Sequence, residues 1–166
     1  MKVSRLLPIL LLLFSSCTPQ NSSQLSPQLK LLIQSEVQAV ADSIWAKWEQ
    51  LDPEAALRYY SDSPDWLSIN AQGSSYDLPA YRKLASDFRQ SATAYKWTTA
   101  RRDFNVLAEG IVICTWIGRD EATWKSGDRA TCDPHAYTLV FKKISGTWKL
   151  AYTHDSGVWS TQKIGK

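Results

Sequence analysis

The sequence predicts an α+β fold in which N-terminal helices pack on a curved antiparallel sheet. Apolar residues recur at steps of three and four between Leu29 and Trp48, which marks one face of a long helix. From Tyr95 onward the pattern changes to alternating strand-like segments separated by turn residues. Helices followed by an antiparallel meander are typical of an α+β domain.

Three helices are predicted from their starting residues. Ser26 supplies a cap and Pro27 the first helical position of the long helix, which ends near Leu51. The run Asp52-Pro53-Glu54 begins a short second helix that reaches about Tyr60. A third helix follows Asp77, with one apolar face formed by Leu78, Tyr81, Leu84, Ala85 and Phe88.

A short strand is predicted at 66–70, and four longer strands at 96–107, 111–123, 129–143 and 147–155. The last hairpin has Ser145 and Gly146 as its two turn residues. Strict alternation then gives three facing pairs on the inner side of the sheet: Phe141 with Leu150, Leu139 with Tyr152, and Tyr137 with His154.

The first residues have the layout of a secretory signal. Lys2 and Arg5 precede an apolar run from Leu6 to Phe14, which is too short to span a bilayer, and Ser15-Ser16-Cys17 follows. We therefore predict a signal peptide at 1–16, a flexible polar tether at 17–26 and a single domain at 27–166.

The stretch LLLFSSC resembles a bacterial lipobox, which implies that the Cys17 sulfur carries lipid and that the protein is anchored to a membrane of the cell envelope. Thr18 follows the cysteine. The expected location is the periplasmic face of the outer membrane, if the host has two membranes.

Composition argues against several classes of protein. The formal charge falls from +3 to +1 when Lys2 and Arg5 leave with the signal, so a nucleic-acid partner is not expected. His135 and His154 are the only histidines, and no recognisable metal spacing or cofactor motif is present. We predict neither a metal nor a cofactor.

Cys114 and Cys132 leave two alternatives open. A tight turn at Ser126-Gly127 places Cys114 opposite Leu139, too far from Cys132 for a disulfide. A wide loop at 119–129 instead brings the two thiols face to face. Pro134 favours an irregularity near the second cysteine, which keeps the second alternative open.

Three segments carry a family resemblance: DPEAALRYYSDSPDW, YDLPAYRKLASDF and the final GTWKLAYTHDSG. In this order they resemble the SnoaL-like and ketosteroid-isomerase-like branch of the nuclear transport factor 2 superfamily. The resemblance implies a cone-shaped fold with a pocket at its open end, and homodimers as in relatives. Ser68 lies where the steroid isomerases carry their base, so that role does not transfer.

The eight Trp and seven Tyr favour an aromatic pocket. The predicted pocket residues are Trp45, Trp48, Phe88, Trp116, Tyr137, Tyr152 and His154. Two functions remain open. One is a lipid-anchored protein that binds a small, mostly apolar ligand or forms a homodimer. The other is an isomerase, dehydratase or hydrolase that uses His154 as general acid or base.

Overall fold

A computed structural model describes residues 25–163 of the chain. The predicted signal peptide, Cys17 and most of the predicted tether lie outside the described residues. None of the helices between residues 25 and 163 is long and apolar enough to cross a membrane.

The three predicted helices are present and begin at the predicted caps. They are α1 (Pro27–Glu49), α2 (Pro53–Leu57) and α3 (Leu78–Ser91). The side chains of Ser26, Asp52 and Asp77 each accept a hydrogen bond from a backbone N–H in the first turn of the helix that follows. A proline in each first turn needs no N–H partner, so local sequence fixes where each helix starts.

Six strands form one sheet in the order β2-β1-β6-β5-β4-β3. The strands are β1 (Leu67–Ile69), β2 (Ser75–Tyr76), β3 (Ala92–Ala108), β4 (Ile111–Trp124), β5 (Arg129–Ile144) and β6 (Thr147–Gln162). The four long strands form the predicted antiparallel meander. The sheet as a whole is mixed, because β1 pairs with β6 in parallel. The short strand β2, which pairs with β1, was not predicted.

The core lies between α1 and the inner face of the sheet. Ile33, Val37, Ala41 and Ile44 of α1 belong to the same buried cluster as apolar side chains of β4, β5 and β6. Phe141, Leu139 and Leu150 are fully buried, and each contributes roughly 1.5–3 kcal/mol of transfer free energy. This packing holds the sheet against the helix along its length.

An extra residue in β6 changes the predicted hairpin pairing. Phe141 does pair with Leu150, but Val140 pairs with Tyr152, so Ala151 is left as a bulge. Beyond the bulge Leu139 faces Thr153 and Tyr137 faces Asp155. The predicted pairs Leu139 with Tyr152 and Tyr137 with His154 are therefore wrong, because the bulge turns the inward positions by one residue.

The two described cysteines are both free and buried, so the disulfide alternative is wrong. Cys114 pairs with Leu139, as the tight turn requires, and Cys132 pairs with Asp120. Cys132 lies seven residues before Leu139 on β5, a separation of roughly 23 Å along a strand. The irregularity that Pro134 favours is present, as a register shift between Cys132 and His135.

We predict that Gly118→Ala destabilises the fold. A Cβ at this position would lie 2.3 Å from the carbonyl oxygen of Thr98 and 2.6 Å from the ring of Trp97, and the backbone oxygen cannot move cheaply. The expected loss in the free energy of unfolding is about 1–3 kcal/mol, measured by urea denaturation.

Gly110→Ala is the matched control for this prediction. Its added Cβ meets nothing closer than the Lys143 side chain at 3.7 Å, an ordinary contact. Equal stability of the two variants would contradict the packing described around Gly118.

Candidate functional site

A cavity of about 160 Å³ lies at the C-terminal end of α1, inside the curve of the sheet. Ser68, Leu139 and Thr153 contribute to its lining, and two carboxylates, Asp120 and Asp155, face it. Most of the lining is an aromatic wall of eight side chains: Trp45, Trp48, Tyr60, Tyr81, Phe88, Tyr95, Tyr137 and Trp159. A cavity of this size holds about one six-membered ring.

Three strands bring an Asp–His–Asp cluster, Asp120, His135 and Asp155, to the base of this cavity. Asp120 comes from β4, His135 from β5 and Asp155 from β6. The residues paired with His135 on both neighbouring strands are glycines, Gly118 and Gly157. A Cβ at Gly157 would lie 2.3 Å from Cys132 Sγ and 3.1 Å from the His135 ring. The missing side chain therefore leaves room for the imidazole.

Both ring nitrogens of His135 contact carboxylates. Nδ1 bonds to Oδ2 of Asp120, and Nε2 lies 3.0 Å from Oδ2 of Asp155. The imidazole is only 2% exposed and Asp120 is 1% exposed. Such contacts make His135 a doubly protonated imidazolium held between two acceptors.

The pKa of His135 reflects this arrangement. Burial by itself lowers the pKa, but the hydrogen bonds and negative charges of Asp120 and Asp155 outweigh it and raise the pKa from 6.5 to about 9. The imidazole is therefore charged at neutral pH. The cluster thus places one imidazolium between two carboxylates.

Two tyrosines complete the surroundings of Asp120. The Tyr95 hydroxyl donates to Oδ1, and the Tyr137 hydroxyl donates to Oδ2 over 3.0 Å. Burial, followed by the nearby negative charges, raises the pKa of both phenols well above the ordinary value, so they stay neutral donors. Both oxygens of Asp120 are thus occupied.

Asp155 differs from Asp120 in having an oxygen to spare. Its Oδ2 accepts from His135 and, over 3.2 Å, from the backbone N–H of Ala71. Its Oδ1 has no hydrogen-bond partner among residues 25–163. The side chain is 18% exposed and lines the cavity, so Asp155 is the member of the cluster most accessible to a ligand.

Four of the seven residues predicted for the pocket line this cavity: Trp45, Trp48, Phe88 and Tyr137. Trp116 does not, because it is buried behind Trp45, with ring centroids 4.4 Å apart, and its indole N–H donates to Thr99. The indole N–H of Trp45 is buried and has no partner among the described residues.

Tyr152 and His154 lie on the outer face of the sheet, and His154 is exposed. The prediction of His154 as the catalytic residue in the pocket is therefore wrong. The Ala151 bulge is the physical reason, because it turns Thr153 and Asp155 inward in place of Tyr152 and His154.

The sequence did not lead to a prediction of the Asp–His–Asp cluster, although part of its signal is present. Every second residue of β4 from Val112 to Ala122 is buried, so alternation alone assigns Asp120 to the core face. A buried aspartate requires a partner, and His135 is the nearby titratable residue on β5. Among residues 25–163 no group of three or more His, Cys, Asp or Glu side chains could hold a metal ion.

Comparison with known proteins shows the family. The profile of the SnoaL-like domain matches residues 37–160. No curated protein matches the chain.

Several solved structures share the fold. A protein described as a scytalone dehydratase from Novosphingobium aromaticivorans has a TM-score of 0.73 at 10% identity, covering 85% of this chain and 93% of its own. A hexachlorocyclohexane dehydrochlorinase from Novosphingobium barchaimii has a TM-score of 0.68 at 9% identity, and the match covers 84% of this chain and 97% of that one. An uncharacterised protein from Caulobacter vibrioides has a TM-score of 0.62 at 17% identity, and the match covers 75% of this chain and 89% of that one. At these identities the likeness shows the fold alone.

We predict that His135 makes stability depend on pH. Its raised pKa stabilises the folded state fully below pH 6.5, and this contribution is lost as pH rises towards about 9. The free energy of unfolding, measured by urea denaturation, should fall across this window by at most about 1.4 kcal/mol per pH unit.

Two variants separate the contribution of His135 from other titrations. His135→Gln should flatten the slope between pH 6.5 and 9, whereas the exposed His154→Gln should leave it unchanged. A slope that follows His154 instead would contradict the buried imidazolium.

Proposed function

The chain belongs to the SnoaL-like domain family, and on that basis we propose that its cavity is the active site of a proton-transfer enzyme. The substrate is a small, mostly apolar molecule, and Asp155 is the general base. One observation carries the proposal: Asp155, whose Oδ1 has no hydrogen-bond partner among the described residues, lines an aromatic cavity.

The other two members of the Asp–His–Asp cluster are less suited to accept a proton. Asp120 uses both oxygens to accept hydrogen bonds, from Tyr95, Tyr137 and His135. His135 has no free ring nitrogen and does not line the cavity. These two residues position Asp155, because the imidazolium fixes its Oδ2 and Asp120 fixes the imidazolium.

Proton abstraction from carbon fits these groups. Asp155 removes the proton through Oδ1, and the C–H electron pair forms a new double bond as a leaving group departs or as a neighbouring carbonyl becomes an enolate. Dehydration and dehydrochlorination, named for two structural neighbours, are eliminations of this kind.

We predict that the protein opens the ring of nitrobenzisoxazole. A base removes the single proton on the isoxazole carbon, and the C–H electron pair completes the triple bond of a nitrile. The N–O bond breaks at the same time, and its electron pair leaves on the oxygen of a coloured phenolate. The reaction reports a cavity base without knowledge of the natural substrate. Asp155→Asn should lower the rate by about a hundredfold or more, because an amide is a far weaker base than a carboxylate. The rate is measured from the absorbance of the phenolate.

Asp133→Asn is the matched control for this assay. It removes the same charge from an exposed position on β5 that pairs with Arg119. Circular dichroism should show both variants folded. An unreactive wild-type protein, or an equal rate in Asp155→Asn and wild type, would contradict Asp155 as the base.

We further propose that the protein is a lipoprotein attached to the cell envelope through Cys17. The support is the order of cationic start, apolar run and small residues before the cysteine. The predicted homodimer stays a prediction, which light scattering of the purified protein would test.

Cys17→Ala should abolish lipid attachment, because the thiol is the attachment point in a lipobox. Incorporation of a labelled fatty acid and partition into detergent measure the result, with Ser22→Ala as a control that leaves the thiol. Labelled, detergent-partitioning Cys17→Ala protein would contradict the lipoprotein proposal.

A further inference from the structure

The cavity has an electrostatic character that narrows the class of its ligand. Asp120 and Asp155 face it, and no lysine, arginine or histidine side chain is among the described residues that line it. His135 lies behind the lining and balances only one of the two carboxylates. The space inside the cavity therefore lies in a negative potential at neutral pH.

The aromatic wall adds to this character. The ring of Trp48 stands at 77° to Tyr81 and at 69° to Phe88, with centroids 6.3 and 5.9 Å apart. Rings that meet at such angles do not stack, so their faces point in different directions. The face of an aromatic ring is electron-rich and attracts cations, most strongly where water is excluded.

We propose that the cavity binds a small organic cation that carries an alkylammonium-type group. This inference rests on the proposed function, since it names the class of molecule that the same cavity takes. The positive group lies between the aromatic wall and the free oxygen of Asp155. A volume of about 160 Å³ admits a molecule of the size of choline.

The free energy of binding in this cavity differs for cations, neutral molecules and anions. A cation loses its hydration shell but gains ring faces and a carboxylate. A neutral molecule of the same shape loses little and gains only apolar contact. An anion loses its hydration shell and meets negative charge, so it is excluded. A positive group also acidifies neighbouring C–H bonds, which favours proton abstraction by Asp155.

Three probes of nearly equal shape test the proposal on the full chain. Choline is positive, dimethylbutanol replaces its trimethylammonium with a neutral tert-butyl group, and dimethylbutyrate combines that group with a carboxylate. Chemical-shift titration of the indole N–H signals of Trp45, Trp48 and Trp159 reports binding at the cavity. Choline should bind about tenfold more tightly than dimethylbutanol, and dimethylbutyrate should bind more weakly than either.

Two variants show whether the cavity charge causes the preference. Asp155→Asn should reduce the ratio of choline to dimethylbutanol affinity to within about threefold, and Asp133→Asn should keep the wild-type ratio. Dimethylbutanol binding as tightly as choline, or an unchanged ratio in Asp155→Asn, would overturn the proposal. Failure of all three probes to bind would overturn it as well. Nitrobenzisoxazole is neutral, so its ring opening tests Asp155 as a base independently of whether the cavity prefers cations.

Discussion

The candidate site depends on one interaction, the contact between the buried imidazole of His135 and the carboxylates of Asp120 and Asp155. Taking charged side chains out of water costs several kcal/mol each, and opposite charges and hydrogen bonds must offset this cost. Here His135 supplies a donor to each carboxylate, and tyrosine hydroxyls and a backbone N–H supply the rest. The remaining lone pairs on Asp155 Oδ1 are left for a ligand.

The two ends of α1 have different surroundings. Towards the N-terminal end, Ile33 and Val37 of α1 join the fully buried apolar core between helix and sheet. Towards the C-terminal end, Trp45 packs against Trp116 and Tyr137 of the sheet, and Trp45 and Trp48 line the cavity that Asp120 and Asp155 also face. The rigid apolar half thus holds three strands in register, and that register positions the charged cluster.

The fold could be predicted from the sequence because its signals are local. Caps at Ser26, Asp52 and Asp77 and the turn at Ser145-Gly146 act within a few residues, and the structure has each of them. The site could not be predicted in the same way, because it depends on register. One extra residue in β6 exchanges His154 for Asp155 on the inner face, and the Cys132–His135 irregularity sets the phase of β5.

Neither shift has a strong sequence signal. Ala151 lies in an alternating run that gives no indication of a bulge, whereas Pro134 does indicate one but not the number of extra residues. Alternation along the regular strand β4 does assign Asp120 to the buried face, although this was not used to predict a site. A buried aspartate without an assigned partner would have been the better starting point than the histidine nearest the chain's end.

The protonation state of His135 tests the central claim most directly. Long-range nitrogen–proton correlation spectra of the imidazole rings at pH 7.5 distinguish an imidazolium from either neutral tautomer, and His135→Gln assigns the signal. We expect the His135 ring to be doubly protonated, with both nitrogens bonded to carboxylates and a titration midpoint near its pKa of about 9. A neutral His135 ring at pH 7.5 would contradict the account of the cluster and of Asp155 as its accessible base.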